Sequence, residues 1–147
     1  MSQVNEIAKT REPKVIELLS SKVNARLGTA NPKTLQPHVV PVWFLWDGES
    51  IWISAFSSTR KVKDLQRNLR CSVLIEPPES ANSNIQAVLF EGTCELIAEQ
   101  PFVAEMSEKV YEKYLGHEGV KAKEPQSWKD DPENRIVKLT PEKVYIW

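Results

Sequence analysis

Residues 39–56 read "VVPVWFLWDGESIWISAF", and the pairing of this stretch decides the fold. Two apolar runs flank Asp47-Gly48, a dipeptide that signals a hairpin when it lies between alternating hydrophobic segments. The spacing predicts one strand over 38–46 and a returning strand over 51–56. Side chains alternate along a strand, and opposed residues share a face. One face then carries Val40, Val42, Phe44, Trp46, Ile51, Ile53 and Ala55, an ordinary core. The other carries Val39, Pro41, Trp43, Leu45, Trp52, Ser54 and Phe56. A hairpin apolar on both faces must be covered on both. Either a helix (13–23 or 100–115) packs on the second face, or that face meets a partner subunit or a flat ligand. Proline donates no ladder hydrogen bond, so Pro41 marks an edge or bulge with free backbone groups beside it.

The next stretch, "SSTRKVKDLQRN" (57–68), is locally basic in a chain whose formal net charge is -1. From Ser57 to Arg70 the cations are Arg60, Lys61, Lys63, Arg67 and Arg70, and the one anion is Asp64. Read as a helix over 59–69, the segment puts Val62, Leu65 and Leu69 on one stripe. Arg60, Asp64 and Arg67 fall opposite, and Lys61 falls on the flank, placed to reach inward. Ser58 or Thr59 is the expected N-cap. Helix starts favour acidic residues because the backbone dipole is positive there. This start carries Arg60, Lys61 and Lys63 instead, and such violations often sit at functional sites. Free N–H groups, a hydroxyl and two cations make a phosphate cradle; the competing reading is a solvated basic face. No glycine-rich phosphate loop is present, which argues against a nucleotide triphosphatase or a Rossmann dehydrogenase.

Working outward, "PKVIELLSSKV" (13–23) bunches Val15, Ile16, Leu18, Leu19 and Val23 on one helical face. Strands are expected at "ARLGTAN", at 71–76, at 86–97 with Gly92 as a bulge or barrel corner, and on either side of Pro141. A helix over 100–116 ends at Gly116, and 117–133 is polar and carries no assignment. Strands at hairpin spacing with a few helices predict an α+β protein built on a small barrel. With 147 residues, 41% hydrophobic and 27% charged, one globular domain spanning 1–147 is expected. The longest apolar run, 39–46, is far too short to span a membrane, and no secretory pattern opens the chain. Cys71 and Cys94 read as reduced, buried thiols, so a cytoplasmic protein is the expectation. A near-neutral chain without aromatics among its basic residues is not expected to bind nucleic acid. His38, His117 and the two cysteines are scattered singly and give no metal spacing, and no nucleophile–base pair stands out.

The order of these pieces resembles the pyridoxamine 5'-phosphate oxidase-like family of flavin-binding split barrels. The likeness rests on "RLGTANPKTLQPHVVPVWFLWDGESIWISAFSSTRKVKDLQRNLRCSVLIE" (26–76), "VLFEGTCELI" (88–97) and the closing "KLTPEKVYIW". It implies a six-stranded antiparallel split β-barrel with flanking helices, and a homodimer with flavin sites at its interface. It further implies that Thr59, Arg60 and Lys61 hold the FMN phosphate. The strand at Val40, Pro41 and Val42 would run beside the flavin ring, and Ser54, beside Ile53, would add a polar contact. "NRIVKLTPEKVYIW" lacks the tryptophan-arginine-histidine pattern that binds pyridoxal phosphate, so vitamin B6 oxidation is not expected. The expectation is an FMN-dependent oxidoreductase acting on an unidentified small molecule. The "TRKVKDL" segment also resembles the deazaflavin-using subgroup, which gives the alternative cofactor. A flavin or haem carrier or sensor without turnover is the further alternative. The cofactor would supply the redox chemistry, so no catalytic side chain is assigned.

Overall fold

In the computed structural model, which describes residues 4–147, the strand expected over 38–46 breaks in two at Trp43-Phe44. Its first half, β2 (Pro37–Val42), pairs with β1 (Ala25–Ala30), placing Pro41 opposite Arg26. Its second half, β3 (Leu45–Trp46), pairs with β4 (Ile51–Phe56) in the expected hairpin, with Trp46 opposite Ile51. Asp47 holds the turn: Oδ1 accepts from the Glu49 and Ser50 amides at 2.8 and 2.7 Å, and Oδ2 accepts from Trp52 Nε1 at 2.8 Å. Burial works against its charge, but these hydrogen bonds outweigh that and hold its pKa below the usual range.

The other strands are β5 (Arg70–Ile75), β6 (Val88–Ile97), β7 (Asn134–Leu139) and β8 (Lys143–Ile146). The antiparallel ladder runs β2-β1-β5-β6-β7-β4-β3, with β8 beside β6. Because β2 and β3 are one run of chain at the two ends of that ladder, the sheet closes on itself. Counting the run once leaves seven strands with β8 included, one more than the six expected, in the expected α+β split barrel. The break opens a seam. Beyond Trp52 the β3-facing edge of β4 has no ladder partner among the described residues, and neither has the outer edge of β2.

β6 turns the barrel corner. It pairs with β5 as far as Thr93 and with β7 from Cys94 onward. Gly92 sits at the change, where a Cβ would lie 3.1 Å from the Glu142 nitrogen and 3.3 Å from Leu139 Cδ1. Close backbone approach is what glycine supplies here.

The helices are α1 (Pro13–Ser20), α2 (Arg60–Arg67), α3 (Phe102–Gly119) and α4 (Lys123–Asp130). α1 stops short of Val23 because Ser21 is extended and its hydroxyl donates to the Leu18 carbonyl at 2.6 Å. Ile16, expected on its buried face, is exposed. Gly116, at φ 81, interrupts the helical backbone of α3 near the expected end. α4 occupies the polar stretch that had no assignment.

The barrel interior holds Leu27, Phe44, Ile51, Ile53, Val73, Phe90 and Leu139, all fully buried, so the first face of the hairpin is core. Burial of each such side chain contributes about 1.5–3 kcal/mol. α3 lies over the second face, packing Val103, Met106, Val110 and Tyr111 against Trp52 and Ile136. Trp43 and Leu45 join at its margin, but Pro41 and Val39 (62% exposed) remain outside this cover. Cys71 and Cys94 are free and buried on the neighbouring strands β5 and β6. The adjacent Cys94 sulfur and burial push the Cys71 thiol up.

Phe44 lies at the break, outside both ladders. Its N–H donates to the Tyr114 hydroxyl at 3.1 Å, and its carbonyl accepts from Lys113 Nζ at 3.0 Å. Tyr114 in turn donates to the Val23 carbonyl at 2.8 Å, and Lys113 donates to Leu19 at 3.3 Å while lying 3.5 Å over the Phe44 ring. Among the described residues Lys113 forms no ion pair, and burial pushes its pKa down to about 8.

Two outcomes are expected. Gly92→Ala should lower the unfolding free energy by about 1–3 kcal/mol in urea titration, through overpacking at Glu142 and Leu139. For Lys113, the folded pKa lies below the unfolded one. Below about pH 8 both states are protonated and folding carries the full desolvation cost; from there to 10.5 the folded state loses its proton first, so stability rises. Urea titrations of wild type and Lys113→Met across that window should show a rising difference that levels off above 10.5.

Candidate functional site

The seam between β2 and β4 is a groove of two adjoining compartments, about 270 and 230 Å³. Both are lined by Trp43, Ser54, Lys61 and Tyr111. Asn24, Pro41, Val42 and Val110 complete the first; Phe56, Thr59, Trp128 and Asn134 help complete the second. Three elements converge there because β4 runs directly into α2, and α3 lies across both.

Lys61 is the one charged side chain in either lining. It is half-buried and has no hydrogen-bond or ion-pair partner among the described residues. Burial lowers its pKa, the expected response of an ammonium taken from water without an anion. Its neighbour Arg60 points elsewhere. Arg60 lies 3.9 Å from Asp64 and lines a separate cleft with Lys63 and Arg67. Asp64, expected on the solvent side of α2, is buried and accepts from Thr29 Oγ1 at 3.1 Å, because α2 lies against β1. Leu69, expected on the apolar stripe, falls after the helix and is 40% exposed. Thr59 occupies the N-cap position, but its hydroxyl donates backward to the Phe56 carbonyl at 2.7 Å.

Of the residues singled out from sequence, the groove brings together Pro41, Val42, Ser54, Thr59 and Lys61. Val40 packs its side chain on the barrel core, and Ile53 is wholly inside it. Either could meet a ligand only through backbone. Arg60 is not brought to the groove.

Ser54 sits in a cluster of polar side chains at the groove floor. Its hydroxyl lies 2.7 Å from the Tyr111 hydroxyl, 2.8 Å from Asn134 Oδ1 and 3.1 Å from Ser107 Oγ. Asn134, fully buried, donates from Nδ2 to Ser107 at 2.8 Å and to the Lys129 carbonyl at 3.3 Å. Aromatic rings form the walls. Trp43 stacks on Tyr114 at 4.7 Å and meets Tyr111 edge-on at 6.2 Å, and Tyr111 meets Trp128 edge-on at 5.8 Å.

Sequence reasoning missed Tyr111, Ser107 and Asn134. A signal existed: Ser107, Tyr111 and Tyr114 recur at i, i+4 and i+7, a second stripe beside the apolar one of Met106 and Val110.

A β-barrel opened along one seam defines a split-barrel protein. The sequence matches the family model for pyridoxamine 5'-phosphate oxidase over residues 12–147, and the chain belongs to that family. A conserved hypothetical protein from Mycobacterium tuberculosis has the same fold, with a TM-score of 0.73 at 24% identity over 92% of this chain and 83% of its own. An F420 reductase gives 0.70 at 21% identity over 88% and 94%. The haem-storage protein of Vibrio cholerae gives 0.73 at 14% identity over 92% and 93%. No curated protein matches the sequence. Among the described residues, no helix is long and apolar enough to cross a membrane.

Replacing Asn134 should be costly, because its amide serves three partners. Asn134→Leu is expected to destabilise the protein by about 2–4 kcal/mol in urea titration, since it strands Ser54, Ser107 and the Lys129 carbonyl.

Proposed function

We propose that the groove holds FMN and that the protein is an FMN-dependent oxidoreductase acting on a small molecule. The observation that carries this reading is Lys61, a half-buried cation without a partner among the described residues, in a groove otherwise lined by neutral and aromatic groups. Such a site is complementary to a flat, conjugated ligand bearing one anionic group. Lys61 neutralises the phosphate, Thr59 turns its hydroxyl from the Phe56 carbonyl to donate to it, and Arg60 adds positive potential from the next residue. Val40, Pro41 and Val42 flank the ring with the free edge of β2, facing Ile53 and Ser54 on the free edge of β4. The bound flavin supplies the hydride and electron chemistry; the chain's own residues bind, orient and shield it.

One flavin-binding domain spans 1–147 in this reading, and the protein works as a homodimer. The unpaired outer edge of β2, with Val39 exposed beside it, is the surface a second copy would cover. Two free, buried thiols fit the reducing cytoplasm. Family membership and the likeness to an F420 reductase support the flavin-type cofactor and keep a deazaflavin coenzyme as the second reading. The likeness to a haem-storage protein supports, in third place, a carrier that binds without turnover.

Fluorescence quenching of FMN by the purified protein tests the assignment. Lys61→Ala should weaken FMN binding roughly 10- to 100-fold, the loss of a hydrogen bond to a charged group. Riboflavin, which has no phosphate, should bind both proteins alike. Equal FMN affinity in wild type and variant would sink the reading, and a deazaflavin outcompeting FMN would select the second one.

A further inference from the structure

Asn134 sets the direction of every proton in the cluster beneath the groove. The Lys129 carbonyl can only accept, so the Asn134 amide nitrogen faces it and the amide oxygen faces Ser54. Ser54 therefore gives its one proton to Asn134 Oδ1. Asn134 gives its second to Ser107, and Ser107 gives its own to Ser54. Ser54 is left only as an acceptor toward Tyr111, so the Tyr111 hydroxyl is the donor at that 2.7 Å contact. Burial raises the Tyr111 pKa, so the phenol keeps this proton at neutral pH. Ser54 is now saturated, with one proton given and two accepted, and has nothing left for a ligand. Tyr111 has also given its proton, its oxygen retains a lone pair, and the residue lines both compartments together with Ser54 and Lys61.

We infer that Tyr111 is a specificity-determining residue, its oxygen accepting a hydrogen bond from a hydroxyl that lies next to the ligand's anionic group. The inference rests on the reading that the ligand is a phosphorylated flavin. Lys61 draws the phosphate to this floor, and an acceptor close to an anion is unfavourable unless a donor stands between them. The polyol chain between a flavin ring and its phosphate supplies that donor. A phosphate on a plain alkyl chain would leave two acceptors facing each other. Ser54 then acts only by holding Tyr111, as a positioning residue.

The test is fluorescence titration of the full chain with FMN and with an analogue whose ribityl chain is replaced by an unsubstituted phosphoalkyl chain of equal length. Wild type should prefer FMN by about 10-fold, one hydrogen bond's contribution. Tyr111→Phe should bind the two alike, losing affinity for FMN alone, while Ser54→Ala, which releases Tyr111 from its anchor, should narrow the preference. An equal fall for both ligands in Tyr111→Phe, or a preference that survives there, overturns the assignment. Should Tyr111→Phe not melt cooperatively, Ser54→Ala decides: a narrowed preference supports the role and an unchanged one overturns it. A wild type that binds neither flavin overturns the flavin reading, and this inference with it; a wild type that binds FMN without preference overturns this inference alone.

Discussion

One buried peptide governs this structure. Phe44 is fully buried where the chain leaves β2 for β3, with no strand to take its N–H or carbonyl. A backbone group buried without a partner costs about 1–3 kcal/mol, so the chain could not break there unaided. Tyr114 accepts from the N–H, and Lys113 donates to the carbonyl. With that peptide satisfied, β2 is free to follow β1 while β3 follows β4. A straight strand would have laddered along β4 and left no seam.

The same helix therefore closes the core and opens the groove. Along one stripe α3 packs Met106 and Val110 against Trp52. Along the adjacent stripe it sends Ser107 and Tyr111 to the groove floor and Tyr114 to the break. Consecutive residues on a helix are separated by about 100°, which also divides the basic segment. Asp64 engages Arg60 on one side of α2, and Lys61, on the other, meets no anion among the described residues. A chain with almost no net charge thus brings the Lys61 ammonium into an aromatic groove.

Much of the fold was legible because the signals are local. The period-two pattern of 39–56 put Val42, Phe44, Ile51 and Ile53 on the face that is the barrel core, and Asp47-Gly48 placed the turn. It could not reveal the break at Trp43-Phe44, since a strand that changes partners keeps the same alternation. Helical projection put Lys61 on an inward flank, where it lies. It put Asp64 on a solvent face because projection gives direction and not what lies there, which is Thr29 of β1. α4 escaped notice because its polar sequence has no stripe to read. The Ser54, Ser107, Tyr111 and Asn134 cluster was illegible because it joins four residues from three elements, β4, α3 and β7.

The sequence by itself determined the faces of the hairpin, the cationic start of α2, the α+β barrel class and the family. Periodicity and short motifs carry these, and both act within a few residues. Only the tertiary structure decided which strand edges stay unpaired, which of two adjacent cations enters the groove, and which way each hydroxyl proton points. Those depend on partners brought together across 27 to 80 residues of chain, and a hydrogen bond has no direction until both of its ends are in place.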